Sequence, residues 1–280
     1  MTVLTVSTLG APAEPLETVL AWLAHASVSA IELRLSAGQI IHPGMTRPEA
    51  ADVKRRLDEA GVSVTGLASY IRVASDANDE MVLGALSSAL ALAKELGAPI
   101  VRVFPGAPTH PGPNDQRPEL LESIDEVDSR ASRRLTAVAH LSEDLGVHAA
   151  LETHDSHPRG EDVARILARV EGPVGAVWDL MHPWRVGEPL ELTWRVLSPW
   201  ILNGGGSVQV KDADLSASST PLLIGDGTLP VDEFADLLIA SDFDGAVCLE
   251  WEKAWYPNVS TLDVALASAC RWFTRKWPQP

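Results

Sequence analysis

The strongest constraint on this chain is an alternation: eight short runs rich in β-branched and apolar residues, each followed by a longer stretch of helical periodicity. The runs are Val3–Thr8, Ser29–Arg34, Val62–Ser69, Ile100–Phe104, His148–Thr153, Gly175–Asp179, Ser207–Lys211 and Ala246–Trp251. Most are apolar on both faces, the pattern of parallel strands covered by helices outside and packed inside. Helix boundary signals agree. Thr46-Arg47-Pro48-Glu49 reads as a capping box with proline in the first turn, and Gly61 ends the helix that it opens. Asp79 to Leu96 is stopped by Gly97, and Asp128 to Leu145 by Gly146.

Eight strand–helix units in 280 residues, without a break in composition, predict an α/β fold of one domain, residues 1–280, closed as a (β/α)8 TIM barrel. A doubly wound open sheet is the second choice. Its nucleotide-binding form needs a glycine-rich turn after the first strand, and Ser7-Thr8-Leu9-Gly10 is not one. Two irregular stretches, Pro105 to Pro118 and Asp212 to Pro230, interrupt the rhythm after strands four and seven. In a barrel both sit on the C-terminal face, where active sites are built.

Charge narrows the partners. Lys and Arg number 22 against 38 Asp and Glu, a formal charge of −16. Such a chain repels a phosphate backbone and an anionic membrane surface, so neither nucleic acid nor membrane is an expected partner. The same excess favours a neutral sugar over a strongly anionic substrate. No run approaches the roughly 18 apolar residues of a membrane helix. The start, MTVLTVSTLG, has no basic region followed by an apolar stretch, and the chain reads as cytoplasmic. Cys248 and Cys270 show no disulfide or metal spacing and read as reduced packing residues.

Polar residues at the ends of apolar strands carry the functional signal. Four successive strands end in Glu152-Thr153-His154, in Asp179, in Gln209-Val210-Lys211 and in Glu250-Trp251-Glu252. Strand side chains alternate with period two, so Glu152 shares a face with His154, and Gln209 with Lys211. If Glu152, Asp179, Gln209 and Glu250 face the barrel mouth, they converge. Three carboxylates so placed repel one another, and a divalent cation among them is the simplest remedy. Oxygen donors suit Mn²⁺ or Mg²⁺, with Co²⁺ or Zn²⁺ as alternatives.

These residues resemble the xylose-isomerase-like barrels of the sugar phosphate isomerases and epimerases. The resemblance covers essentially the whole chain. It rests on Ile31-Glu32-Leu33-Arg34, Arg102, Glu152-Thr153-His154, Trp178-Asp179-Leu180-Met181-His182, Gln209-Val210-Lys211-Asp212, Gly225-Asp226-Gly227 and Leu249-Glu250-Trp251-Glu252. It implies one divalent metal on Glu152, Asp179, Gln209 and Glu250, where Gln209 replaces the family's usual strand-seven histidine. It also implies that Glu152 and Glu250 act as acid and base, with Lys211 and His154 as electrostatic or relay groups.

His182 is expected on a substrate hydroxyl. Arg102 and Arg185 would hold a carboxylate or phosphate, or else close salt bridges on this acid-rich chain. Glu32 and Arg34 read as a buried ion pair. Trp184, with Trp178, Trp251 and Trp255, offers an apolar wall for a sugar ring or ordinary filling between barrel and helices. Gly225-Asp226-Gly227 reads as a turn before a phosphate loop.

The expected activity is isomerisation or epimerisation of a keto-sugar or related polyol, by proton transfer through an enediolate. A dehydratase of inosose or dehydroshikimate is the nearest alternative, and a non-catalytic sugar-binding barrel, marked by Gln209, is a third. Cleavage of abasic DNA, known in related barrels, needs extra histidines that strands three and four lack. The expected partner is a small sugar or cyclitol. The amphipathic segment Asn258 to Trp277 covers the barrel or a second copy in a homo-oligomer.

Overall fold

A computed structural model describes residues 2–113, 115–202 and 205–278. Eight strands, β1 (Val3–Ser7), β2 (Ala30–Arg34), β3 (Ser63–Arg72), β4 (Ile100–Phe104), β5 (His148–Glu152), β6 (Gly175–Asp179), β7 (Ser207–Val210) and β8 (Ala246–Leu249), lie in chain order. Each is parallel to the next, and β8 pairs with β1 to close the barrel. Closure excludes the doubly wound alternative. No helix of the described residues is long and apolar enough to cross a membrane.

Local chemistry sets the helix boundaries. The helix Arg47–Glu59 opens on the expected capping box, where the Thr46 N–H donates to Glu49 Oε2 at 2.7 Å. Asn78 Oδ1 accepts from the Glu80 N–H to start Asp79–Leu96, and Gly97 ends it in the left-handed region. The expected helix Asp128 to Leu145 is two helices instead, Ile124–Ala137 and Ala139–Leu145, broken at Val138. It begins earlier because Ser123 and Glu126 form a second capping box. The last helix, Leu262–Lys276, folds back on its own barrel: Trp272 is buried and donates its indole N–H to Asp232.

The barrel interior changes character along the strands. Ile100, Ala150 and Val177, on neighbouring strands, form a small apolar cluster of their own. Burying a side chain the size of Ile100 or Val177 contributes about 1.5–3 kcal/mol. Gly66 lets this plug sit close, since a Cβ there would stand 2.9 Å from Ile100 Cγ1. Two residues further along each strand, on the same inward face, come Arg102, Glu152 and Asp179. The apolar plug thus forms the floor on which a charged layer rests. β7 and β8 stop at Val210 and Leu249, so Lys211 and Glu250 stand just past the ladder, at the mouth.

Asp212 organises the loop after β7. Its carboxylate accepts backbone N–H groups from Ala213 (2.9 Å), Gly225 (2.8 Å), Gly227 (3.0 Å) and Leu229 (3.2 Å). A Cβ at position 227 would stand 2.1 Å from Asp212 Oδ1, so only glycine fits there. Gly225-Asp226-Gly227 is therefore a turn, and the amides a phosphate would need are taken by the chain's own carboxylate. Asp212→Ala leaves four amide groups without their acceptor and is expected to cost about 2–4 kcal/mol. Urea denaturation checks this, and a loss below about 0.5 kcal/mol would show that the loop holds without Asp212.

Candidate active site

Glu152 closes β5, Asp179 closes β6, Gln209 is the penultimate residue of β7, and Glu250 follows β8 directly. All four are at most 5% exposed. The β6–β7 register sets Asp179 beside Gln209. The strand ends therefore bring together the four residues that the sequence pattern pointed to.

Lys211 lies among the acids. Its ammonium is 2.9 Å from Asp179 Oδ2 and 2.5 Å from Glu252 Oε1, and it also contacts Glu250. Burial alone would lower the Lys211 pKa, yet the three carboxylates outweigh it and hold the amine well above its ordinary value. One ammonium against three carboxylates leaves two negative charges in a buried site. Glu252 is a further acid of this cluster that strand-end reasoning passed over. Its signal was its spacing, two residues after Glu250 and hence on the same side of an extended segment.

Glu152 has a separate counter-charge. Arg102, from β4, sets its Nε 3.0 Å from Glu152 Oε2 and donates from Nη1 to the Ser69 carbonyl at 2.9 Å. Of the two roles open to Arg102 in the sequence, the structure gives it the salt bridge. Burial pushes the Glu152 carboxyl well above the usual carboxylate range, against the pull of Arg102 and with reinforcement from Glu250 and Asp179. At Glu250 burial acts the same way, but Lys211 and Arg102 outweigh it and the pKa falls. The two glutamates are therefore shifted in opposite directions.

Glu32 and Arg34 do not form the expected ion pair. Arg34 donates from Nε to the Tyr70 hydroxyl at 2.7 Å and lies over the Tyr70 and Trp255 rings. Glu32 is buried, and burial raises its carboxyl pKa, with Arg102 opposing.

Aromatic rings tie this layer to the histidines. The Arg102 guanidinium lies 4.0 Å from the Phe104 centroid, Phe104 stacks on His154 at 4.0 Å, and His154 meets His182 edge-on at 4.4 Å. Burial, reinforced by neighbouring positive charge, holds His182 well below the ordinary histidine value, so its ring is neutral at pH 7. Glu152, His154 and His182 each offer a donor atom within 4.8 Å of the others.

The donors fit a divalent cation. Both amide atoms of the fully buried Gln209 lack a hydrogen-bond partner, as does His182 Nδ1. The surplus of two negative charges around Lys211 is what a divalent ion would offset. Carboxylate and amide oxygens suit Mn²⁺ or Mg²⁺, whereas the group that includes His154 and His182 suits Zn²⁺ or Co²⁺.

A cavity of about 810 Å³ lies beside this layer, lined by His154, His182, Arg185, Glu252, Trp255 and Tyr256 among others, with Glu152, Asp179, Gln209, Lys211 and Glu250 behind its lining. Gly106 to Pro113 and Gln116 to Glu119, from the long loop after β4, supply much of one wall. Trp184 is exposed and is not among the lining residues, and Trp178 and Trp251 are core residues. Of the four tryptophans proposed as a wall, only Trp255 lines the cavity.

A model of the xylose isomerase-like TIM barrel family matches residues 20–276. The chain belongs to that family. Solved structures of xylose isomerase-like folds superpose over nearly its full length. The probable 3-DHS dehydratase AsbF of Bacillus anthracis is 16% identical, with 98% of this chain and 99% of that one covered at a TM-score of 0.76. An L-ribulose 3-epimerase is 18% identical, covering 98% and 94% at 0.75. The IOLI protein with a bound zinc atom is 15% identical, covering 99% and 100% at 0.75. No curated protein matches the sequence.

The Arg102–Glu152 pair is one of the ion pairs that hold the charged layer together. Arg102→Met strands a buried carboxylate beside two others and is expected to cost about 3–5 kcal/mol. Adding Glu152→Gln should recover part of that loss. A double-mutant cycle by urea denaturation measures the coupling, and strictly additive losses would show that the pair contributes nothing as a pair.

Proposed function

We propose that this protein is a divalent-metal-dependent isomerase or epimerase that moves a proton on a keto-sugar or related polyol, through an enediolate. The observation that carries the reading is the pair Glu152 and Glu250. Both are buried, they are presented from β5 and from the end of β8, and each rests against its own cation, Arg102 and Lys211. Two carboxylates whose surroundings separate their proton affinities meet the requirement for an acid and a base in one site.

In this reading Glu250, kept ionised by Lys211, takes the proton from the carbon next to the carbonyl. Glu152, on β5 and set against Arg102, delivers one from another side. Lys211 steadies the charge on Glu250, and His154, within donor reach of Glu152, relays protons toward the cavity. The neutral His182 hydrogen-bonds a substrate hydroxyl, and Trp255, in place of the expected Trp184, is the apolar wall. Arg102 acts through Glu152 as a positioning residue. Glu152, Asp179, Gln209 and Glu250 would hold the metal, Mn²⁺ or Mg²⁺ before Co²⁺ or Zn²⁺, and a bound ion supplies a Lewis acid for negative charge developing on a substrate oxygen.

The likeness to a ketose 3-epimerase supports the substrate class, and the charge of −16 supports a small-molecule enzyme without nucleic-acid or membrane partners, which this reading keeps in the cytoplasm. The likeness to a dehydratase favours a second reading, a lyase using the same residues. Incubating candidate ketoses with the Mn²⁺-treated protein in deuterated water separates them. Deuterium gained next to the carbonyl without loss of water is the expected result, and Glu152→Gln or Glu250→Gln should slow the exchange about a hundredfold or more. An enone or diene absorbance from inosose or dehydroshikimate would replace the isomerase by the lyase. Full exchange in both variants would remove the glutamates from the chemistry.

A further inference from the structure

The cavity wall is not balanced in charge. Its acidic residues near the buried layer are committed to protein partners. Glu252 receives Lys211, and Asp155 Oδ1 accepts the Gly106 N–H at 2.9 Å while its other oxygen faces His154. Among the arginines that line the cavity, Arg72 is exposed to solvent and Arg117 is paired with Asp162. Arg185 is neither. Among the described residues it has no ion pair and no side-chain hydrogen bond, although its side chain is partly buried and its Nε is fully so. Arg102 and Lys211, the other cations of the site, each have carboxylate partners.

A guanidinium taken partly out of water without an acidic partner is unfavourable in itself. Burial lowers the Arg185 pKa, and the surrounding acids only partly oppose this from a distance. Its position gives the imbalance a use. Arg185 and His182 lie three residues apart on the short helix Met181–Arg185, hence on one side of it. Tyr256 and Ser219 line the same cavity, and neither hydroxyl has a hydrogen-bond partner among the described residues. Guanidinium and hydroxyl donors facing one space form a receptor for a planar or tetrahedral oxyanion.

We propose that Arg185 anchors an anion subsite one helical turn from His182, and that the substrate is a polyol bearing a carboxylate or phosphate group. This rests on the reading of the site as one that acts on sugar-like molecules. It places a local cation inside a chain whose total charge favours neutral ligands. The protein need only desolvate the anion where Arg185 waits, while the acidic exterior is screened over about 8–10 Å by physiological salt.

The test uses three probes on the full chain, with and without Mn²⁺: D-gluconate, inorganic phosphate and neutral D-fructose, followed by calorimetric titration. Gluconate or phosphate should bind the wild type, and Arg185→Gln should weaken that binding about tenfold or more while leaving D-fructose unchanged. Arg185→Lys keeps the charge and loses the fork, so it should fall between the two and serves if the glutamine variant does not fold. Binding of gluconate but not phosphate assigns the carboxylate, and the reverse assigns the phosphate. Equal binding of every probe by wild type and variants, or binding of D-fructose alone, overturns the subsite and leaves the isomerase reading standing. If the wild type takes none of the three, both fall.

Discussion

The structure depends on a problem of buried charge. Five acidic side chains, Glu32, Glu152, Asp179, Glu250 and Glu252, are gathered at one end of a barrel whose other end is sealed with Ile100, Ala150 and Val177. Carboxylates in such a place either bind a proton or find a cation. The fold supplies both solutions in one layer. Arg102 and Lys211 are the fixed cations, and burial raises the Glu152 carboxyl above the usual carboxylate range. The acid–base asymmetry follows from where the two cations sit, not from a difference between the two glutamates.

Much of this was legible in the sequence because the barrel obeys two simple periods. The alternation of strand and helix gave every strand to within a few residues, and the period of two placed Glu152, Asp179, Gln209 and Lys211 on inward faces. What was not legible were choices among partners. Whether Arg102 meets a substrate or Glu152, and whether Arg34 meets Glu32 or an aromatic pair, depends on partners on neighbouring strands, such as Tyr70 for Arg34, 36 residues away in the chain. Periodicity fixes which way a side chain points and says nothing of which neighbour it reaches. The same holds for Trp184 and Trp255, which are equally aromatic in the sequence, while only the second lines the cavity.

Local signals failed where two were superposed. The stop at Gly146 was read correctly, but the start of that helical stretch was set at Asp128, because the Ser123–Glu126 capping box lies directly after the irregular Pro/Gly-rich stretch. The break at Val138 carries no glycine or proline, so nothing in composition announces it. Gly225-Asp226-Gly227 shows the converse. Two glycines near a strand end permit an anion site, and a single acid thirteen residues earlier, Asp212, decides against it.

The loops at the mouth differ in how they are held. Asp155, in the left-handed region at φ +34°, accepts the Gly106 N–H, and Ser156 Oγ accepts the Ala107 N–H at 3.0 Å. The loops that follow β4 and β5 are thereby joined into one wall. The facing segment, Glu252 to Tyr256, is attached through Lys211, through the Ala254 N–H, which donates to the Leu9 carbonyl at 3.3 Å, and through ring contacts of Trp255 with Tyr70 and Arg34. The cavity is thus bounded by cross-linked backbone on one side and by the aromatic ring of Trp255 on the other, so a polar wall faces an apolar one.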